Sequence, residues 1–147
     1  MSHSDKSVRL TLFVVRALSA IFLILLFVFP FVFKPLFSKI GLENQFTVFL
    51  ITFYACCPSA AITLFCLNKL LVNIKNGIVF NAVNTMLLKT LSISCLAAAI
   101  LSVPVCFYIP IMIVFPLEAA FMSLILHVVK NVIEKGSEIK DENDLTI

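Results

Sequence analysis

Charge is what this sequence has least of. Of its 147 residues, 13% are Asp, Glu, Lys or Arg, about half the share usual in soluble domains. The net charge of +3 is modest and spread along the chain, so the clustered basic face that nucleic-acid binding requires is missing and no direct nucleic-acid partner is expected. With three glycines and two histidines, there is no Gly-rich phosphate loop, and no histidine stands near the cysteines at zinc spacing. Paired carboxylates and a nucleophile–base pair are also lacking, and an intramembrane protease would need such groups inside its spans. The expectation is a protein that is not an enzyme and has no metal or cofactor. Tryptophan is absent, while phenylalanine occurs fifteen times.

What fills the space is apolar. Hydrophobic residues make up 61% of the chain, and its mean hydropathy is +1.11. From Thr90 to Val129 forty residues carry one charge, Glu118, between Lys89 and Lys130. A bilayer's hydrocarbon is about 30 Å thick and takes roughly 20 helical residues to cross, so this run is two spans back to back. The first apolar run, Leu10 to Phe29, is longer than the apolar core of a signal peptide and is followed by Pro30, Phe31 and Val32 rather than a small-residue cleavage site. It reads as a retained span.

The expected fold is an all-α integral membrane bundle of four transmembrane helices in one domain. The spans are at about 10–33, 46–71, 86–105 and 110–133, with a polar, acidic tail over 134–147. Pro30 and Pro35 should disturb the far end of span one. A first loop from Lys34 to Gln45 would lay Leu36, Phe37 and Ile40 on the membrane surface, and the rings of Phe27, Phe29, Phe31 and Phe33 would crowd the outer interface. In span two, Ala55, Ser59 and Thr63 are four apart and share a face. In span three, Ser94, Ala98 and Ser102 do the same. Small faces allow close helix approach in lipid, so these stripes are expected to pack together. Pro58 and Pro116 are expected to kink their helices, and Pro110 to open span four. A second loop, 73–86, contains Gly77 as a chain breaker and Asn81 as a helix cap.

Basic residues set the orientation. Lys6, Arg9, Lys69, Lys75, Lys89, Lys130, Lys135 and Lys140 fall on the side of the termini and the second loop, and only Lys34 and Lys39 on the other. By the positive-inside rule both termini are cytoplasmic.

Two stretches carry a family resemblance. Gly77-Ile78-Val79-Phe80-Asn81-Ala82-Val83-Asn84 opens span three, and Glu142-Asn143-Asp144-Leu145-Thr146-Ile147 closes the chain. With four spans in this order, they resemble bacterial domain-of-unknown-function family 2975. Its members show Gly-x-x-Phe, a capping Ser or Thr, then an Asn, and end in E-N-D-L-T-[IV]. Asn81 replaces the usual Thr or Ser and keeps a capping side chain. The resemblance implies a small protein of a bacterial cell membrane with no established enzymatic activity. Such proteins are often encoded beside a helix-turn-helix regulator of the Cro/C1 type, which makes a cytoplasmic transcription regulator the partner implied, besides the bilayer itself.

The candidate partner-binding residues are therefore Gly77, Phe80, Asn81, Asn84, Glu142, Asn143, Asp144, Leu145, Thr146 and Ile147. A chain-terminal carboxylate flanked by apolar side chains suits capture in a groove; a solvated acidic tail is the plainer alternative. Arg16 and Glu118 are the candidate intramembrane polar residues. They are read either as an ion pair or relay facing the bundle interior, or separately, with Arg16 snorkelling to the headgroups and Glu118 bonded to a backbone group freed by Pro116. The first option would make the chain a transporter-like or immunity protein. His127 reads as a pH sensor or an interfacial filler. The cysteines, including the Cys56-Cys57-Pro58 run, read as packing residues without disulfides.

Overall fold

A computed structural model describes the backbone of residues 3–145 and the side chains of 7–140, 142 and 143. It contains four long helices: α1 (His3–Lys39), α2 (Glu43–Lys75), α3 (Ala82–Cys106) and α4 (Val114–Leu145), with a 3₁₀ turn, Pro110–Ile113, leading into α4. There is no strand among the described residues. All four helices are long and apolar enough to cross a membrane, and the protein is a multi-pass, all-α membrane bundle.

The helices are longer than the sequence pattern indicates, and in α1 this is because proline does not stop it. Pro30 and Pro35 lie inside α1, which continues to Lys39. Pro30 has no N–H for the Leu26 carbonyl, and the hydroxyl of Tyr54, on α2, donates to that carbonyl at 2.9 Å. A neighbouring side chain thus replaces the lost helical bond, as a polar group in hydrocarbon requires. The expected loop over 34–45 shrinks to residues 40–42. Gly41, at φ +72°, ends α1 in a left-handed turn, with Leu42 N bonded to Phe37 O at 2.9 Å and Gly41 N to Ser38 O at 3.2 Å. These two bonds are the Schellman pattern. Phe37 therefore does not lie on the membrane surface; it is 5% exposed and joins Val105 and Ile109 in an apolar cluster. Leu36 and Ile40 are exposed. Phe29, also 5% exposed, stacks on Phe53 at 3.6 Å between centroids, whereas Phe27 and Phe31 face outward.

Pro58 lies within α2. Pro116 falls in the first turn of α4, where proline is tolerated, so it does not interrupt that helix. Pro110 opens the 3₁₀ turn rather than α4 itself. Into the polar tail, α4 continues as helix to Leu145.

Each helix packs on its neighbours in sequence, and α1 makes no close approach to α4. Helix α3 is the centre and uses two faces. Toward α2, Ser94 Oγ donates to Ser59 O at 2.7 Å and Thr63 Oγ1 to Ser94 Oγ at 3.1 Å, so the two small stripes do meet. Toward α4, Ser92 Oγ donates to Ser123 O at 2.9 Å and Ser123 Oγ to Ser92 O at 2.8 Å. Larger apolar side chains, Leu70, Leu87, Leu88 and Leu91, pack at the end where the chain termini lie. The five cysteines are free, and all lie on α2 and α3.

Candidate functional site

The turn joining α2 to α3 is shorter than expected, 76–81 rather than 73–86, and each residue of the Gly-x-x-Phe-Asn-x-x-Asn pattern has a physical task in it. Gly77, at φ +78°, supplies the left-handed conformation that lets Ile78 N reach Asn73 O and Gly77 N reach Ile74 O, both at 3.0 Å. Asn81, in extended conformation, caps α3 by accepting from Val83 N at 3.2 Å. Asn84 is 0% exposed. Its amide nitrogen donates to Ile78 O at 2.7 Å and Val79 O at 3.0 Å, and its Oδ1 accepts from Asn73 Nδ2 at 2.7 Å. Asn84 thus holds both sides of the turn at once. The contribution of Asn73 is missed by the sequence reading; an Asn eleven residues upstream is no recognisable motif.

Phe80 carries the turn across to α4. Its ring lies so close over Gly136 that a side chain there would meet the ring edge. The turn and the C-terminal part of α4 consequently face each other across a groove of about 550 Å³, whose walls include Phe80, Thr85, Lys89, Lys130, Glu134 and Glu138. Lys130 and Glu134 form an ion pair at 2.6 Å. Phe80 remains 48% exposed and Met86 72%. The groove thus offers apolar contact at one wall and charges of both signs at the other, which suits docking of a protein segment. Among the described residues there is no cluster of His, Cys, Asp and Glu able to hold a metal.

Of the C-terminal candidates, Glu142 and Asn143 are exposed on the last turns of α4. The side chains of Asp144 and Leu145, and all of Thr146 and Ile147, lie outside the described residues.

The structure separates Arg16 from Glu118. Both are exposed on the outside of the bundle, on helices that make no close approach to each other, and no ion pair joins them. Arg16 instead belongs to a belt. It lines a groove with Asn68, next to Lys69; Leu70 packs on Leu87 and Leu88, next to Lys89; and Lys89 faces Lys130. One basic residue on each helix therefore lies within about a turn, ~5 Å, of a common level. From Arg16 to Lys34 is about 27 Å at 1.5 Å per residue, close to the hydrocarbon thickness. Arg16 marks the rim of the apolar slab and is not a charge within it. Glu118 lies about 18 Å from the belt along α4, deep in the slab, and has no hydrogen bond to the backbone near Pro116. His127 is exposed on α4 one turn before Lys130.

Comparison of the chain with protein-family models, with curated proteins and with solved structures finds no match in any of the three.

Proposed function

We propose that the chain is a small regulatory protein of a bacterial cell membrane, with both termini cytoplasmic, that holds a cytoplasmic protein partner at the groove between turn 76–81 and the end of α4. The observation that carries this reading is the meeting of Phe80 and Gly136: two stretches distant in sequence, the turn and the tail, form one surface. The orientation rests on the basic belt and on the excess of Lys and Arg at the same end. The likeness of Gly77–Asn84 and of the C-terminal hexapeptide to family 2975 adds a helix-turn-helix transcription regulator as the partner of choice. The protein performs no catalysis and needs no cofactor in this reading.

The test is capture of the regulator by the full chain in membranes, compared with a chain lacking Asp141 to Ile147 and with Phe80→Ala. Both changes are expected to reduce capture at least tenfold while the membrane domain stays folded. Undiminished capture by both would overturn the reading. A transporter-like or immunity protein working through Arg16 and Glu118 is less well supported, because roughly 18 Å of depth separates the two; loss of all function in a folded Glu118→Gln protein, with partner capture intact, would favour it instead.

A further inference from the structure

Glu118 is the one acidic residue deep in the apolar slab, and it points away from its own bundle. Helix α4 packs on α3 through Ser123, Leu126 and Ile133; Glu118 lies off that face, at the border of an outward side that carries Phe121, Ile125, Val128 and Val132, all exposed. Intramembrane carboxyls almost always face protein or a water-filled cavity rather than lipid, so this side of α4 has a missing neighbour. The spacing from Glu118 through Phe121, Ile125, Val128 and Val132 is 3, 4, 3 and 4 residues. It continues through Lys135 to Ile139, where α4 carries Lys135, Glu138 and Lys140. Ile139 is 60% exposed there, beyond the apolar slab, where lipid does not explain it. A 3–4 alternation kept over three heptads is the seam of a left-handed two-stranded coil. The Lys135 stem can lie along such a seam with its ammonium in water.

Depth selects the partner. Two copies inserted in the same direction are related by an axis along the membrane normal, so each residue meets only groups at its own depth. Ala119, next to Glu118, lines one groove with Leu25 and Cys56, which places Glu118 near the level of the Tyr54–Leu26 bond. At that level the exposed polar side chains are Glu118 itself and Tyr54, which lies on α2, a helix that makes no close approach to α4, and so stays off a seam formed by α4. Arg16 of a second copy would lie as far off in depth as its own does. The group that satisfies Glu118 is therefore Glu118 of another copy across a twofold axis, carboxyl to carboxyl. We infer that the protein is a parallel homodimer through α4, with Glu118 setting the register as a single polar seam residue does in soluble coils. The dimer would carry two of the α4 ends side by side.

The experiment is oxidative cross-linking in membranes of single-cysteine additions along α4, with the parent chain, whose own cysteines lie on α2 and α3, as control. Ile125→Cys, Val132→Cys and Ile139→Cys are expected to give a disulfide-linked dimer. Met122→Cys and Leu124→Cys, equally exposed but to either side of the seam, are expected to give little. Glu118→Leu should weaken the dimer about tenfold, with Glu118→Gln retaining it, both read by subunit counting in vesicles at graded protein-to-lipid ratios. Neither substitution removes a hydrogen bond or ion pair within the chain, and helical content checks the fold. A monomer at all ratios, cross-linking equal at all five positions, capture of a different protein at the seam, or a Glu118→Leu dimer of undiminished strength would each overturn the inference.

Discussion

Replacing Asn84 tests the architecture of the turn most directly. Its side chain makes three hydrogen bonds, at 2.7, 3.0 and 2.7 Å, from a fully buried position. Each such bond contributes about 1 kcal/mol net, and each buried group left unpaired costs about 1–3 kcal/mol. In Asn84→Ala the carbonyls of Ile78 and Val79 and the amide of Asn73 lose their partner. Ile78 is exposed and Val79 half-buried, so water recovers part of the loss at these turn carbonyls, and a total of about 3 kcal/mol is expected. Asn84→Asp should be worse than alanine although it is nearly isosteric. It keeps the acceptor for Asn73 but turns a charged oxygen toward two carbonyl oxygens. Asn73→Ala, which removes one bond, should cost about 1 kcal/mol. Reversible unfolding in mixed micelles measures the three values, and hydrogen exchange locates them: amides of 76–81 should exchange faster in Asn84→Ala, with α3 beyond Thr90 little changed. Better tolerance of aspartate than of alanine, or exchange in the turn at its parental rate, would refute this role of Asn84.

Three further outcomes follow from particular contacts. Tyr54→Phe should destabilise by about 1 kcal/mol because the Leu26 carbonyl is left without a donor, and in a Pro30→Ala background, where residue 30 regains its N–H, the same change should cost much less; a double-mutant cycle on unfolding measures the coupling. Ser92→Ala and Ser123→Ala each break the reciprocal clasp between α3 and α4, so their costs, about 0.5–1.5 kcal/mol each, should combine to less than their sum. Gly136→Ala should loosen the turn by displacing Phe80, yet in a Phe80→Ala background it should stabilise α4 by up to about 1 kcal/mol through helix propensity; thermal unfolding of the four proteins distinguishes the two signs.

Several of these features were legible in residue order and several were not. The Asn81 cap, the Gly77 turn and the meeting of the Ser59 and Ser94 stripes follow from local rules, since a cap, a left-handed residue and a four-residue repeat are properties of neighbouring positions. The loop lengths did not follow. Pro30 and Pro35 suggest a break only while nothing is known of what repairs it, and the hydroxyl that takes up the Leu26 carbonyl comes from Tyr54, 28 residues away.

By itself the sequence determined the solvent and the helix count. Burying 61% hydrophobic residues in four runs of bilayer length is a one-dimensional property, insensitive to how the helices are arranged. The tertiary structure decided what the charges mean. Arg16 looks like a charge inside a span until the register of α1 on α2 sets it level with Lys69, Lys89 and Lys130, at the edge of the apolar slab. Glu118 looks like its partner until α1 and α4 prove to make no close approach and the two residues to lie at different depths. Depth and facing depend on how far each helix slides against the next, and that is set by which side chains interlock between them, a relation between distant positions that residue order along one helix does not contain.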